Sequence, residues 1–202
     1  MTCLTAISAL ASRVSSPSHE DRRRLDRVFN YIYTTRHDVM RFKRGGDVSF
    51  EAFIDASFGT QPQGKSRTGV LIKMAGCAVG AWSTKQKIVT RSSTEAEVVA
   101  ISDGLTNVIW LRRFLSHQGY TLPPTVIWED NKSCIDLLTK PRHNAQRTRH
   151  LDIRYFYARE LQELGMIDIK FAPTDDMEAD LLTKGWVGPI FTKLAARMIG
   201  IT

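Results

Sequence analysis

Val48-Ser49-Phe50-Glu51-Ala52-Phe53-Ile54-Asp55-Ala56-Ser57 reads as a β-strand, with β-forming and apolar residues dominating its second half. It also carries an acid where a strand rarely has one, because Asp55 shares a face with Phe53. A carboxylate beside a core costs free energy unless a cation or hydrogen bonds compensate it. Working outward, Gly69 to Met74 and Ala78 to Ser83 are strands of the same kind. The turn-like Gly59 to Ser66 and the tripeptide Ala75-Gly76-Cys77 separate them, which predicts an antiparallel meander.

A long helix follows from Ser92, with apolar residues through Ile101, Leu105, Val108, Ile109 and Leu115, and stops near Gly119. After Pro123-Pro124 the sequence predicts a strand over Thr125 to Trp128 and a helix from Asn131 to about Thr139. A polar connection through Pro141-Arg142-His143-Asn144 leads to a helix around Thr148 to Leu164, then to the strand Met166 to Phe171. A short helix around Asp176 to Thr183 and another after Pro189 close the chain. This order predicts an α/β fold with a mixed sheet flanked by helices.

Upstream, Ser15-Ser16-Pro17-Ser18 breaks the chain before an amphipathic helix over His19 to Thr35, with Leu25, Val28, Phe29 and Ile32 at helical spacing. Gly45-Gly46 marks the expected boundary between this helical appendage and the strands. Residues 1 to 44 are expected to pack loosely on the rest or to leave their apolar face partly exposed.

With 202 residues the chain can bury a real core, and its formal charge of +7 suits a polyanionic partner. Cys3, Cys77 and Cys134 have no CxxC spacing, so neither a zinc site nor a disulfide framework is indicated. Few cysteines, no membrane-length apolar run and no basic region ahead of the first apolar segment give an expectation of an intracellular, non-membrane protein.

Three more acids lie in or beside hydrophobic sequence. Glu97 stands in Ser93-Thr94-Glu95-Ala96-Glu97, Asp130 closes Val126-Ile127-Trp128-Glu129-Asp130, and Asp180 opens Asp180-Leu181-Leu182-Thr183-Lys184. Glu95 falls three residues after Ser92 and completes a capping box, while Glu97 shares the inward stripe of Ile101 and Leu105, about 200° away from Glu95 at the helical pitch. Asp130 follows Trp128 on one strand face, with an N-cap role for the following helix as its rival. Asp175 offers a cap to the last short helix and Glu178 follows three positions later, so Asp180 is not needed as one. Carboxylates converging from strands and helices would suit hard divalent cations and metal-assisted phosphodiester chemistry. Lys85, Lys87 and Arg91 form one basic cluster, and Arg142 to Arg149 with His143 and His150 form another, either of which could meet phosphate. Trp82, Trp110 and Trp128 read as core or partly buried packing.

Several strings in series resemble the ribonuclease H domain of copia-type retrotransposon polyproteins. They are Asp55-Ala56-Ser57, Ser83-Thr84-Lys85-Gln86-Lys87, Ser92-Ser93-Thr94-Glu95-Ala96-Glu97, Glu129-Asp130-Asn131-Lys132-Ser133, Arg147-Thr148-Arg149-His150-Leu151-Asp152-Ile153-Arg154-Tyr155, and Ala179-Asp180-Leu181-Leu182-Thr183-Lys184. The match covers roughly residues 48 to 185, and Thr5 through Phe42 is similar to the end of the reverse transcriptase region that precedes this domain. The resemblance implies a ribonuclease H-like, mixed five-stranded sheet with an N-terminal helical appendage. It divides the chain into a remnant at 1–46, a ribonuclease H-like domain at 47–185 and a helical tail at 186–202.

It also implies an endonuclease that cuts the RNA strand of RNA–DNA hybrids. Two Mg2+ or Mn2+ ions would be held by Asp55, Glu97, Asp130 and Asp180. Lys85, Lys87, Arg91, Asn131, Arg147, Arg149 and His150 would face nucleic acid, and the polymerase part of a related polyprotein is a further expected partner. No Tyr-x-Asp-Asp motif is present, so no polymerase activity is carried over. The alternative reading is an inactive remnant that binds nucleic acid or a protein partner without cutting.

Overall fold

The computed structural model describes residues 1–45, 48–140 and 149–201, with the side chains of 149–152 left out. Three strands form the meander: β1 (Phe50–Gln61), β2 (Lys65–Met74) and β3 (Cys77–Lys85). The β1–β2 hairpin is longer than its turn-like composition predicts. Its strands run on to Gln61 and from Lys65, and a single 3-10 turn at Pro62–Gly64 joins them. β4 (Thr125–Glu129) pairs in parallel with β1, and β5 (Ile167–Phe171) in parallel with β4, so the sheet order is β3-β2-β1-β4-β5.

Strand alternation gives the sheet two buried faces. Phe50, Ala52, Ile54 and Ala56 point with Val70, Ile72, Ile127, Ile167 and Ile169 into one core. That core is covered by α3 (Ser93–His117), α4 (Lys132–Thr139) and α5 (Arg149–Glu163). Phe53 and Leu71 point the other way, into a core closed by α6 (Asp180–Thr183) and α7 (Gly188–Met198), whose Leu181, Leu182, Leu194 and Met198 are buried. Ile101, Leu105, Val108, Ile109 and Leu115 of α3 are all buried, as the helical stripe requires.

Two glycines set how closely helices approach the sheet. A Cβ on Gly104 of α3 would lie 2.7 Å from Ile54 Cδ1 and 3.0 Å from Val70 Cγ2, so only glycine lets α3 lie this near β1 and β2. A Cβ on Gly69 of β2 would meet Thr183 Cγ2 at 2.7 Å, Leu182 Cβ at 2.9 Å and the Ala179 carbonyl at 3.0 Å, so Gly69 seats α6.

The N-terminal segment leaves part of its apolar face exposed, as expected, but it is docked rather than loosely packed. Helices α1 (Leu4–Ala11) and α2 (His19–Thr34) dock by specific bonds. Thr5 Oγ1 donates to the Leu181 carbonyl at 2.7 Å, and Arg67 donates to Ser8 Oγ at 2.8 Å. The amides of Arg41 and Lys43 donate to the carbonyls of Ile199 and Ala75 at 2.8 Å each. The packed face of α2 is Leu25, Val28 and Tyr31, rotated from the predicted stripe, because Tyr31 packs edge-on to Phe191 at 5.4 Å and bonds Thr2. Phe29 and Ile32 are left exposed, as is Tyr33.

Three smaller readings change. Trp110 is 66% exposed and stacks in parallel on Phe114, because it lies on the solvent side of α3. The expected helix over Asp176 to Thr183 is instead a 3-10 turn at Thr174–Asp176 followed by the four-residue α6, whose N-cap Ala179 offers no side chain. Glu178 takes no part in capping, since both its oxygens accept hydrogen bonds from Lys73 Nζ at 2.8 Å in a buried ion pair between β2 and the segment before α6.

Candidate active site

The acids meet at one end of the central strands. β1 and β4 are parallel and register Phe53 against Trp128, so Asp55 and Asp130 leave the sheet at the same level. Trp128 stacks on Phe53 at 6.2 Å, and its Nε1 donates to Glu51 at 2.7 Å, which fixes this pair of strand ends. Glu97 comes from the first turns of α3. Its helix start is fixed by Ser92 Oγ, which accepts from the Glu95 amide at 3.2 Å, while Glu95 reaches back to the Arg91 amide at 2.8 Å. The capping contact therefore closes one residue earlier than the usual box, and Glu95 stays at the rim. Asn131, not Asp130, caps α4, its side-chain oxygen accepting from the Cys134 amide at 3.0 Å. Asp130 is thereby left free of capping.

Asp55, Glu97 and Asp130 each offer an oxygen within 4.8 Å of the others. Asp55 and Glu97 are 2% and 5% exposed, and Asp130 is half-buried. Thr174 donates to Asp130 Oδ2 at 3.0 Å, and Thr183 Oγ1 donates to Asp55 Oδ2. Asp180 joins from α6 on the Asp55 side, where Lys184 Nζ lies 2.5 Å from Asp180 Oδ1 and 3.9 Å from Asp55 Oδ1.

Burial pushes the Asp55 carboxyl up to about 7, Lys184 pulls against it, and Asp180 and Asp130 add to the rise. Burial also pushes Glu97 up to about 11, reinforced by Glu129, Asp55 and Asp130. Asp180 is raised by burial against the opposing pull of Lys184. Crowded acids that resist ionisation are what a divalent cation relieves. Glu97 Oε2, buried with no hydrogen-bond partner among the described residues, fits that description atom by atom.

Glu129 is a buried acid that sequence reasoning passed over. It is fully buried on the α3 side of β4, one oxygen accepting from the Asn131 amide at 2.9 Å and the other without a partner among the described residues. Burial raises its pKa well above the carboxylate range. The signal was available, because Thr125, Ile127 and Glu129 alternate onto one buried face.

Beside the acids a cleft of about 400 Å³ is lined by Ser57, Thr60, Arg67, Thr183 and Lys184. Arg67 is 3% exposed, bonds only to Ser8, Ser83 and Gln61 in the described structure, and has no carboxylate partner among the described residues. Lys85, Lys87 and Arg91 are exposed around Gln86, whose amide nitrogen bonds Thr68 Oγ1 at 3.1 Å and the Ala96 carbonyl at 2.9 Å and so ties that loop to the start of α3. Arg147 and His143, and the side chains of Arg149 and His150, lie outside the described residues.

This sheet order, with its helices, is the ribonuclease H fold. The N-terminal RNase H domain of rv2228c from Mycobacterium tuberculosis matches with a TM-score of 0.50 and 16% identity, over 74% of this chain and 97% of that one. LC11-RNase H1, solved in complex with an RNA/DNA hybrid, matches with a TM-score of 0.50 and 14% identity, over 67% of this chain and 94% of that one. No protein-family model matches the chain. Among curated proteins, the retrovirus-related Pol polyprotein from transposon TNT 1-94 of Nicotiana tabacum is 32% identical over 180 residues, 89% of this chain. That from transposon RE1 of Arabidopsis thaliana is 29% identical over 98% of it. The chain spans 13% of the length of each. Fold and homology together make it a ribonuclease H-like domain of a copia-type retrotransposon polyprotein. No helix of the described residues is long and apolar enough to cross a membrane.

Proposed function

We propose that this domain hydrolyses the RNA strand of RNA–DNA hybrids at Asp55, Glu97, Asp130 and Asp180, with two divalent cations, Mg2+ or Mn2+. The observation that carries the reading is the convergence of Asp55, Glu97 and Asp130 within 4.8 Å around an unpartnered, buried Glu97 oxygen. Bound there, the cations would supply an activated water and stabilise the leaving oxygen of an in-line displacement. The chain's own part is placement. Thr183 orients Asp55 and Thr174 orients Asp130. The Asn131 amide orients the buried Glu129 beside the cluster, and the same residue caps α4.

Phosphate recognition falls to exposed Lys85, Lys87 and Arg91, in keeping with the charge of +7. Discrimination of RNA from DNA would come from the 2′-hydroxyls of the strand laid across the acids. We also keep the division into 1–46, 47–185 and 186–202 as a proposal, with the first part answering to the end of a reverse transcriptase region.

A labelled short hybrid tests the function. The expected outcome is Mg2+-dependent cutting of the RNA strand alone, abolished by chelation, with duplex DNA untouched. Salt-sensitive binding of the hybrid without any cutting would overturn the enzymatic reading in favour of a binding module.

A further inference from the structure

Lys184 places a positive charge, of the same sign as the cations the site is read to hold, among the acids of the site. Its ammonium sits 2.5 Å from Asp180 Oδ1 and 3.9 Å from Asp55 Oδ1, between two carboxylates that are 3% and 2% exposed. Two carboxylates this close cannot both carry charge in a buried setting without a cation between them. A divalent ion shared by the same two oxygens would need the same space and would repel the ammonium at contact distance.

The surrounding chain is built for the ammonium to leave. Lys184 lies just past the end of α6 in extended backbone, with φ −116° and ψ 149°, and its side chain is 37% exposed. A flexible four-carbon stem can therefore swing out without moving α6. The acids do not depend on it for position. Asp55 is held by Thr183, and Asp180 by a helix seated on Gly69. The cleft that Lys184 also lines gives the displaced ammonium somewhere to go.

We propose that Lys184 is a resident counter-cation that compensates the charge of Asp55 and Asp180 in the metal-free protein and is displaced when a divalent ion enters. The proposal rests on the reading of these acids as metal ligands. It makes metal affinity the outcome of a competition within the chain, and it delivers a positive charge to the cleft at the moment the site is loaded.

Calorimetric titration of Mn2+ into the full chain, without nucleic acid, tests it. Lys184→Gln should bind Mn2+ about tenfold more tightly than the unaltered chain, because the cost of breaking a largely buried ion pair is removed. Unchanged or weaker binding would overturn the proposal. Asp55→Asn should lose Mn2+ binding, and if it instead bound normally, the metal-site reading itself would fall. A second measurement needs no folded variant. In protein labelled with 13C-lysine, the Lys184 side-chain resonance should move to the position of solvent-exposed lysines on saturation with Mg2+. A resonance that stays in place while Mg2+ is bound would show that the ammonium is not displaced.

Discussion

Asp55 and Asp130 are each kept in place by a threonine that does no chemistry of its own, and single substitutions separate ligands from supporting residues. Asp55→Asn and Glu97→Gln keep the shape and remove a ligand charge, so each should lower Mg2+-dependent cleavage by about a thousandfold or more. The same changes remove groups that are harder to ionise in the fold than in the unfolded chain, so without metal at pH 8 each should raise thermal stability, by about 1–2 kcal/mol. Cleavage assays and thermal denaturation on the same samples read both effects, and loss of activity with loss of stability would count against the site. Glu95→Gln should leave cleavage near normal, since an amide oxygen can still accept from the Arg91 amide. The distinction between Glu95 and Glu97 was legible because helical phase is written in the sequence and α3 is long enough to hold it. The Lys184 contacts were not legible. They depend on where a four-residue helix stops, and four residues carry no usable period.

At the scale of elements, the sheet end is completed by α6, and α6 is held by a close approach rather than by its own stability. Its four residues are too few to persist alone, so Gly69 beneath it and the Lys73–Glu178 ion pair before it determine where Asp180 and Thr183 lie. Gly69→Ala would place a methyl within 2.7–3.0 Å of Thr183, Leu182 and the Ala179 carbonyl. The expected outcome is a stability loss of about 1–3 kcal/mol from overpacking, and a fall in cleavage of about tenfold to a hundredfold because the carboxylates are displaced. Denaturant titration and the hybrid assay measure the two. Normal cleavage would show that Asp180 does not depend on the seat. The strands and long helices here were readable from period and turn residues. The helix expected over Asp176 to Thr183 does not form as such because Glu178, which the spacing makes a capping partner, is drawn instead to Lys73 on the sheet face that α6 covers. Sequence spacing does not record such a tertiary pairing.

Across the whole molecule, the N-terminal segment and the charge cluster both feed into stability. Removing residues 1–44 would cut the bonds to Leu181, Ile199 and Ala75 and strip Ser8 from buried Arg67, so the unfolding temperature should fall while the acids keep their positions. Calorimetry on the shortened chain checks this, and an unchanged unfolding temperature would return the segment to the loose appendage its sequence suggested. The acids give a second, opposite dependence on conditions. Asp55 holds its proton up to about pH 7 in the fold and Glu97 up to about 11, against ordinary values of 3.8 and 4.5. Between those limits the folded chain binds more protons than the unfolded one, so metal-free stability is greatest below about pH 4 as far as these two groups are concerned and falls as pH rises through 7 and beyond. A bound divalent cation favours the ionised acids and reverses the trend, releasing protons as it binds. Thermal denaturation at pH 5.5 and 8.5 should therefore show the metal-free chain losing stability at the higher pH. Mg2+ or Mn2+ should stabilise it far more at 8.5 than at 5.5, and Asp55→Asn should flatten the slope up to pH 7. A metal-free stability that rises over this interval would mean that the acids are already compensated within the chain, and would remove the physical reason for placing cations among them.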